Sequence, residues 1–282
     1  MELAKSLDLD AYKPAEIARL IERSGVAKAR LGTLQTVTLG LLAGAFIAMG
    51  SMFYTVVMTG HGLGFGPARL LGGLVFSLGL VLVVIAGAEL FTGNNLIVMA
   101  WVDRRITLLE LARNWTLVYV ANFIGAAGTA VLLTLSGTLA LGDGAVRETA
   151  FAIALAKTGL VWHEALFRGL LCNALVCLAV WLSFAARDVT GKILAILLPI
   201  AAFVALGFEH SVANMYFIPL AWMNGAPGVG FGGLLANLLP VTVGNIIGGG
   251  GFVGLTYWLC YRSDPASANR QGQGACGTGT ED

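Results

Sequence analysis

GAELFTGN, Gly87–Asn94, and GFEHSVAN, Gly207–Asn214, are the two stretches that decide how this chain folds. Both follow the pattern G-x-E-x-x-x-x-N, and both place a glutamate inside long apolar sequence. Between Lys192 and Arg262 the chain has no lysine, arginine or aspartate, and no glutamate other than Glu209. Ionisable groups in such surroundings are costly and are usually retained for function. The two stretches are therefore the first candidates for a functional site.

The composition is typical of a helical protein that crosses a membrane several times. Of the 282 residues, 57% are hydrophobic and 12% are charged, whereas soluble domains carry about 25% charged residues. The net charge of +1 provides no field that would hold nucleic acid. The four cysteines have the spacing of neither a disulfide framework nor a zinc site. We predict an all-α membrane protein with no cofactor, no metal and no nucleic-acid partner.

Six apolar segments are long enough to cross a bilayer, since a membrane-spanning helix needs about 20 apolar residues. Before them, apolar residues at helical spacing predict a short amphipathic helix at the membrane surface, from about Pro14 to Lys28. The chain thus divides into an N-terminal segment 1–30, a transmembrane domain 31–262 and a tail 263–282, whose composition predicts disorder. The six predicted spans are roughly 34–58, 71–101, 107–137, 161–186, 192–221 and 237–261.

Lysine and arginine are distributed unevenly between the two faces of the predicted membrane domain. Four of the 17 basic residues fall on one face, and the other thirteen fall on the opposite face. Because basic residues accumulate on the cytoplasmic side, both termini are predicted to be cytoplasmic, which an even number of spans allows. The four basic residues on the outer face are Arg69, Arg147, Lys157 and Arg168.

The two quoted stretches belong to an internal repeat. The span after each of them carries N-x-x-G, with Asn122 and Gly125 in the first half and Asn245 and Gly248 in the second. Spans one to three and four to six are therefore two copies of one unit. Because each copy has an odd number of spans, the copies point in opposite directions across the membrane. Inverted repeats are a common architecture of transport proteins, with the substrate site near the midplane.

Spans two and five are predicted to be broken helices. Each is interrupted at its motif by glycine and polar residues, and each is longer than a straight crossing needs. Thr92 and Ser211 are suitable N-cap residues for helices that restart after the breaks. Irregular backbone at membrane depth is tolerated where it lines a cavity or is buried in protein, so the breaks should meet around a central pathway. The positive end of a restarting helix favours an anion there.

Glu89, Glu209 and His210 are the candidate functional groups at the breaks. The two glutamates occupy matching places in the repeat, which favours a shared structural role as acceptors for the broken backbone and leaves a proton-carrying role open. His210 has Leu90 as its repeat partner, and histidine changes charge near neutral pH. It could therefore either donate a proton to an anion in transit or hold a positive charge that attracts one.

Four stretches of the sequence resemble the formate/nitrite transporter family, and the resemblance extends from about Pro14 to Arg262. Formate channels are the most similar members, and nitrite channels come next. The resemblance implies a homopentamer of aquaporin-like protomers, each with its own pore, in a bacterial inner membrane. It also implies conduction of small monovalent anions such as formate, nitrite or hydrosulfide. The four stretches are GAELFTG, NALVCLAVW from Asn173, GFEHSVANM, and NLLPVTVGNIIGG from Asn237.

The resemblance also implies roles for individual residues. Lys157 and Asn173 correspond to the family's vestibule lysine and asparagine, and Thr92 and His210 correspond to the residues of the selective zone. The implied substrate-binding residues are His210, Thr92, Asn214, Glu209, Lys157 and Asn173, and the implied apolar constrictions are Leu80 with Phe91 and Phe76 with Phe203.

Apolar constrictions indicate how an anion would cross. Desolvating a bare anion costs far more than desolvating a neutral acid. We therefore expect passive, bidirectional and pH-dependent movement, in which Lys157 attracts formate and Thr92 and His210 bind it and pass it a proton. The neutral acid then crosses and ionises again on the far side. The N-terminal helix either gates the cytoplasmic mouth or only anchors the chain.

Three other functions are alternatives to a formate channel. A nitrite or hydrosulfide channel of the same family is the main alternative. A neutral-solute channel of the aquaporin type would carry paired NPA motifs, but Asn94 and Asn214 are followed by Asn95 and Met215. A membrane enzyme would need paired catalytic groups or metal ligands, and the three histidines lie in different segments without HExxH spacing. We therefore predict a protein that is not an enzyme.

Overall fold

A computed structural model describes residues 11–261, which form helices joined by turns, with no strand among them. The predictions for residues 1–10 and for the tail 263–282 lie outside the described residues. The helices of the first half are α1 (Pro14–Ala29), α2 (Thr33–Val57), α3 (Phe65–Gly87), α4 (91–102) and α5 (Leu108–Leu135). Those of the second half are α6 (Ala145–Thr158), α7 (Trp162–Ala185), α8 (Val189–Ala205), α9 (Ser211–Met223) and α10 (Phe231–Tyr261).

Five of the described helices, α2, α3, α5, α7 and α10, are long and apolar enough to cross a membrane. α8 is apolar but has 17 residues, and the predicted fifth span consists of α8 and α9 with a break between them. α3 begins at Phe65 and α10 begins at Phe231, earlier than the predicted starts of these spans. Each begins directly after a glycine N-cap, and glycines in the first turn obscured the start in the sequence.

α6 is a helix that the sequence did not predict. With 14 residues it is too short to cross a bilayer. Its residues Val146, Ala150 and Ala154 recur every four positions and form a buried face, which packs against α9 and α10. Lys157 lies in the last turn of α6, so a helix rather than a loop holds this lysine.

α1 exposes one face and packs its other face against the rest of the protein. Ile17, Ala18 and Ile21 are between 3% and 5% exposed. They pack in one apolar cluster with Leu96 and Met99 of α4. The periodicity is that of an amphipathic helix, but protein rather than lipid covers the apolar face.

Both breaks occur at the glutamate motifs. α3 ends at Gly87, whose φ is +84°, and α8 is followed by Gly207, whose φ is +75°. Glycine adopts such positive φ values without a steric penalty because it has no Cβ, so each glycine turns the chain out of its helix. The backbone remains outside helical geometry until α4 and α9 begin at Phe91 and Ser211.

The prediction that Thr92 and Ser211 cap the restarting helices is wrong, since both residues lie within the helices. Asn122 Oδ1 instead accepts the N–H of Phe91 at 2.9 Å, and Asn245 Oδ1 accepts the N–H of Ser211 at 2.9 Å. Each asparagine belongs to a neighbouring helix, α5 or α10. A side chain distant in sequence thus satisfies the free N–H group of each helix start.

Two close helix contacts bring the capping asparagines into place. A Cβ atom at Gly125 would collide with the carbonyl oxygen of Leu41, and one at Gly248 would collide with the carbonyl oxygen of Leu170. α5 therefore packs backbone to backbone on α2, and α10 packs in the same way on α7. Glycine at the fourth position of N-x-x-G permits this approach, and the approach sets the position of the asparagine one turn earlier.

Candidate functional site

Thr92 and His210 meet where the two breaks face each other. Thr92 Oγ1 lies 2.9 Å from His210 Nε2, and both side chains are buried. His210 is the N-cap residue of α9, and its Nδ1 accepts the N–H of Ala213 at 3.1 Å. A neutral ring that accepts at Nδ1 carries its proton on Nε2, so Nε2 donates to Thr92 Oγ1. The hydroxyl proton of Thr92 is then available to a third group.

An ion pair with an amide network lies beside the first break. Lys28 Nζ is 2.7 Å from Glu89 Oε1 and donates to Asn94 Oδ1 at 3.0 Å. Asn94 Nδ2 donates to Glu89 Oε2 at 2.7 Å and to Asn114 Oδ1 at 3.0 Å. Asn114 Nδ2 donates to the backbone oxygen of Lys28 at 3.1 Å. The network joins the end of α1 to α4 and α5.

The second break has a similar network, in which Asn214 Oδ1 has no hydrogen-bond partner among the described residues. Lys157 Nζ is 3.0 Å from Glu209 Oε1, and Asn214 Nδ2 donates to Glu209 Oε2 at 2.6 Å. Asn214 Nδ2 also donates to Asn237 Oδ1 at 2.6 Å, and Asn237 Nδ2 donates to the backbone oxygen of Lys157 at 2.9 Å. Here the network joins the end of α6 to α9 and α10, so α6 matches α1.

Sequence reasoning missed half of these networks. Lys28 precedes Glu89 by 61 positions, whereas Lys157 precedes Glu209 by 52. The two lysines therefore do not coincide when the repeats are aligned on their glutamates. A second lysine in the last turn of a short amphipathic helix was the available signal. The network residues that the sequence did not assign are Lys28, Asn94, Asn114 and Asn237.

The glutamates were expected to accept hydrogen bonds from the broken backbone, and the structure assigns their carboxylates different donors. Both carboxylates bind lysine and asparagine side chains. The backbone groups of these residues are bonded as well. The N–H of Glu89 donates to Leu39 O and that of Glu209 donates to Arg168 O, each at 3.2 Å. Each glutamate therefore ties its break to helices on both sides.

The resemblance implies that Asn173 lies with Lys157 in a vestibule. In the structure Asn173 lies between the two breaks instead. It is fully buried, and its Nδ2 donates to Thr92 O at 3.2 Å, to Asn95 Oδ1 at 2.7 Å and to Asn245 O at 2.7 Å. The amide thus holds the carbonyl of Thr92 against α10. This geometry positions Thr92 and leaves Asn173 without access to either cavity described next.

One cavity lies at each break. The Lys28 vestibule has a volume of about 370 Å³ and is lined by Lys28, Glu89, Leu80 and Leu90, among others. The Lys157 vestibule has a volume of about 200 Å³. Its lining includes Lys157, Glu209, His210, Phe76 and Phe203.

An aromatic pair lies beside His210 in the wall of the Lys157 vestibule. The ring centroids of Phe76 and Phe203 are 5.6 Å apart in an edge-to-face arrangement. The Phe203 ring also stacks on the His210 ring at 5.9 Å. These two phenylalanines, for which the resemblance implies a constriction, are buried.

Of the other implied pair, Leu80 and Phe91, one residue lines the Lys28 vestibule. Leu80 lines the Lys28 vestibule, and Leu90 lies beside it there. Phe91 is buried with its ring edge-to-face against Tyr119, at 4.9 Å between centroids. Leu90 rather than Phe91 therefore faces this vestibule, and Leu90 is the repeat partner of His210.

Among residues 11–261, no cluster of three or more His, Cys, Asp or Glu side chains could hold a metal ion. The charged side chains of the site are instead the pairs Lys28–Glu89 and Lys157–Glu209, and two arginines, Arg69 and Arg168, that also line the Lys157 vestibule. The arrangement presents hydrogen-bond donors and an ammonium group to a small anion at each vestibule.

Comparisons with known proteins point to one family. A family model described as formate/nitrite transporter matches residues 15–259. The chain is 42% identical over 271 residues to the formate channel FocA of Escherichia coli (strain K12), and the match covers 89% of this chain and 95% of that protein.

Solved structures agree with the sequence comparisons. A pentameric formate channel with formate bound matches with a TM-score of 0.76 and 41% identity, covering 82% of this chain and 98% of that one. An ion channel of the FNT family matches with a TM-score of 0.79 and 30% identity, covering 87% of this chain and 98% of that one.

Proposed function

The chain belongs to the formate/nitrite transporter family, and we propose that it is a passive, bidirectional and pH-dependent channel for formate. The observation that carries the proposal is the contact of 2.9 Å between Thr92 Oγ1 and His210 Nε2, made between two broken helices. Formate is favoured as the anion because the similar proteins described above are formate channels.

The first step is capture of the anion in a vestibule. Lys157 presents an ammonium group on one side of the central contact, and Lys28 presents one on the other. In this proposal Glu209 holds Lys157 at the vestibule wall through a contact of 3.0 Å, and Asn214 holds Glu209 through a hydrogen bond of 2.6 Å. Asn173 contributes by holding Thr92 in position.

The second step is passage between apolar side chains. Phe76 and Phe203 on one side, and Leu80 with Leu90 on the other, offer the anion no hydrogen bond. A neutral acid crosses such a surface at far lower free energy than an ion does. The constrictions therefore select for formic acid over the formate ion, provided that a proton is delivered between them.

The third step is a proton relay at His210. The neutral ring, with Nδ1 bound to the N–H of Ala213, donates a hydrogen bond at Nε2 but cannot easily give up that proton. Binding of a second proton at Nδ1 breaks the hydrogen bond from the N–H of Ala213 and makes the ring cationic. The Nε2 proton then passes through the hydroxyl of Thr92 to the anion. Acidic solution favours the cationic ring, so flux should rise as the pH falls.

The same reasoning extends to the membrane architecture. We infer six crossings in two inverted three-span repeats, the broken spans being α3 with α4 and α8 with α9. The matched networks around Glu89 and Glu209 support this inference. We further infer a homopentamer in which each protomer has its own pore. Exposed apolar side chains such as Leu135, 78% exposed, and Leu198, 71% exposed, would face lipid or neighbouring protomers.

The location and orientation follow from charge. The transmembrane domain 31–262 would lie in a bacterial inner membrane with both termini in the cytoplasm, since thirteen of 17 basic residues fall on one predicted face. In this arrangement α1 packs at the cytoplasmic end of the pore, and Lys157 faces the outside.

Flux measurements in proteoliposomes test the function. Formate, nitrite and chloride are compared at about pH 5 and about pH 7, across the range where histidine changes charge. The wild type should pass formate faster than chloride and faster at the lower pH. His210→Asn should lose the pH response while retaining its oligomeric size on a gel-filtration column.

Each other outcome selects a different reading. A wild type that passes nitrite better than formate would make this a nitrite channel of the same family. Passage of neutral solutes alone would favour the aquaporin-like alternative. An unchanged pH profile in His210→Asn would reject the relay and leave His210 as the N-cap of α9.

A further inference from the structure

A cluster of arginines lies outside both vestibules, where α1 ends. It lines a cavity of about 370 Å³ that is bordered by the ends of α1 and α4 and the start of α5. The charged side chains of the lining are Arg30, Arg104, Arg105 and Glu110, so three positive charges face one negative charge. Cavities of about 300–1,000 Å³ hold small ligands, and an excess of positive charge favours an anionic one.

Arg30 is held in place by groups that leave its charge available. Its Nη2 donates to the backbone oxygen of Arg105 at 3.1 Å, and its Nε lies 3.5 Å from Glu110 Oε1, with the side chain of Arg30 60% exposed. Exposed pairs of this kind are weak, so a phosphate can replace Glu110 as the partner of Arg30. Glu110 stays in place without Arg30, because its Oε2 accepts the N–H of Thr107 at 2.7 Å. Arg105 is itself compensated by Glu22, at 2.6 Å, and therefore positions Arg30.

Arg104 is the arginine of this cavity that has no carboxylate partner. None of the salt bridges formed within residues 11–261 involves it, and its side chain is exposed. The neighbouring Asp103 does not line the cavity and lies 3.5 Å from the indole nitrogen of Trp258. The φ of Arg104 is +59°, a left-handed conformation that is uncommon for residues with a Cβ. Such conformations occur most often at functional sites.

The cavity lies where two apolar spans begin. α2 and α5 each start three residues after an arginine of the cavity. Leu34 in the first turn of α2 is 81% exposed, and Leu109 in the first turn of α5 is 78% exposed. Trp101, which also lines the cavity, belongs to a residue type that is enriched at membrane interfaces. Phosphate groups and acyl chains of a bilayer meet at such a boundary between basic and apolar side chains.

The inverted repeat provides a comparison for this cluster. The turn between α4 and α5 contains two adjacent arginines, whereas the matching turn between α9 and α10, residues 224–230, contains no charged residue. In the proposed orientation the arginines lie on the cytoplasmic side and the uncharged turn lies outside. Anionic lipids of the cytoplasmic leaflet attract basic segments next to membrane spans. The cluster therefore lies on the side where an anionic lipid can reach it.

We propose that Arg30 and Arg104 bind the phosphate group of an anionic phospholipid, with Arg105 holding Arg30 in position. Guanidinium groups bind phosphate through paired N–H donors, and the exposed leucines beside the cavity contact the acyl chains. Because Arg30 is the C-cap residue of α1, the bound lipid connects α1 to the start of α5. The inference uses the proposed membrane orientation but not the proposed transport of formate.

Native mass spectrometry of the full chain in a neutral detergent provides the test. The purified oligomer, stripped of lipid, is titrated with phosphatidylglycerol or with zwitterionic phosphatidylcholine of the same chain length. Phosphatidylglycerol should bind more tightly than phosphatidylcholine. Arg104→Gln should raise the dissociation constant of phosphatidylglycerol about fivefold, which is the contribution of one arginine near an anionic lipid surface, and Arg30→Gln should act in the same direction.

Two further variants separate the site from surface charge and from folding. Arg23 is exposed on α1 and does not line the cavity, so Arg23→Gln should leave the dissociation constant unchanged. Arg104→Gly should weaken binding as much as Arg104→Gln. It should not lower the melting temperature in detergent alone, because glycine adopts a φ of +59° without a steric penalty. A loss of binding in this variant therefore reports the missing side chain and not a damaged fold.

Three results would overturn the site. Equal binding of the two lipids, or equal losses in Arg23→Gln and Arg104→Gln, would show only the general attraction of a basic surface. Glycerol 3-phosphate that binds as tightly as the lipid would make the ligand a soluble phosphate. A wild type that binds no lipid, with an Arg104→Gln oligomer that dissociates, would show that a neighbouring copy covers the cavity. Formate flux is a separate measurement, so the lipid site and the proposed function can each fail alone.

Discussion

The two breaks share a scaffold but differ at the residue before the restarting helix. Each has a lysine, a glutamate and two asparagines in a similar hydrogen-bonded arrangement, and each helix start is capped by an asparagine from another helix. At the matching position the first break has Leu90 and the second has His210. Both halves contain the support for the broken backbone. Only the second half contains, in His210, a group that can exchange a proton.

The comparison separates stability from function. A buried network of hydrogen bonds holds irregular backbone in one conformation. His210 is supported by this scaffold without belonging to it, since its own contacts are to Thr92, Ala213 and the ring of Phe203. Substitution of a shared residue should therefore lower the free energy of unfolding. Matching substitutions in the two halves should act in the same direction.

The largest expected effect comes from the paired glutamates. Glu209→Gln leaves the ammonium of Lys157 without a counter-charge, and breaking a buried ion pair in this way costs about 3–5 kcal/mol. Glu89→Gln should cost less, because the side chain of Lys28 is 31% exposed and that of Lys157 is 14% exposed. Denaturant titration in detergent micelles measures the free energy of unfolding.

Glu148→Gln is the matched control, since Glu148 is an exposed residue of α6. It should change the free energy of unfolding by no more than about 0.5 kcal/mol. Losses at Glu89 and Glu209 as small as that of the control would show that the two networks do not support the breaks.

The capping asparagines should give the next largest effect. Asn122→Leu and Asn245→Leu preserve volume but leave the N–H groups of Phe91 and Ser211 unpaired. Such a buried group costs about 1–3 kcal/mol. If the halves are equivalent, the two losses in the free energy of unfolding should agree within about 0.5 kcal/mol, which is the usual agreement for independent sites. A loss at one asparagine alone would break the equivalence.

The glycines of N-x-x-G should give an effect about as large as that of the capping asparagines, and another glycine of the same helix provides the contrast. Gly125→Ala and Gly248→Ala place a Cβ against a backbone carbonyl, and overpacking of this kind costs about 1–3 kcal/mol. Gly128 lies in the same helix as Gly125, and a Cβ there meets nothing within 4 Å. Gly128→Ala should therefore be neutral or stabilise the helix by up to about 1 kcal/mol.

If Gly128→Ala destabilises the protein as much as Gly125→Ala, then helix contacts absent from a single protomer control both positions. That outcome would remove the argument that α2 and α5 approach each other because of Gly125. Melting temperatures of the three variants, measured in one detergent, decide between these outcomes.

Several features of the fold were predictable because they depend on local sequence. Apolar length identified the long helices, and the positions of Gly87 and Gly207 marked both breaks. The lack of a histidine counterpart at Leu90 was visible in the repeat itself. The short α6 was missed because a helix of 14 residues has no membrane-spanning length, and its periodic small residues resemble those of a loop.

The sequence alone determined the class of protein, the two broken segments and the position of His210, since hydropathy and motif spacing are properties of neighbouring residues. Tertiary structure decided which groups bind one another. It paired Lys28 with Glu89, placed Asn173 on Thr92, and took the helix caps from Asn122 and Asn245 rather than from Thr92 and Ser211. Buried donors and acceptors bind whichever partner packing brings within about 3 Å, and the order of residues along the chain does not specify that partner.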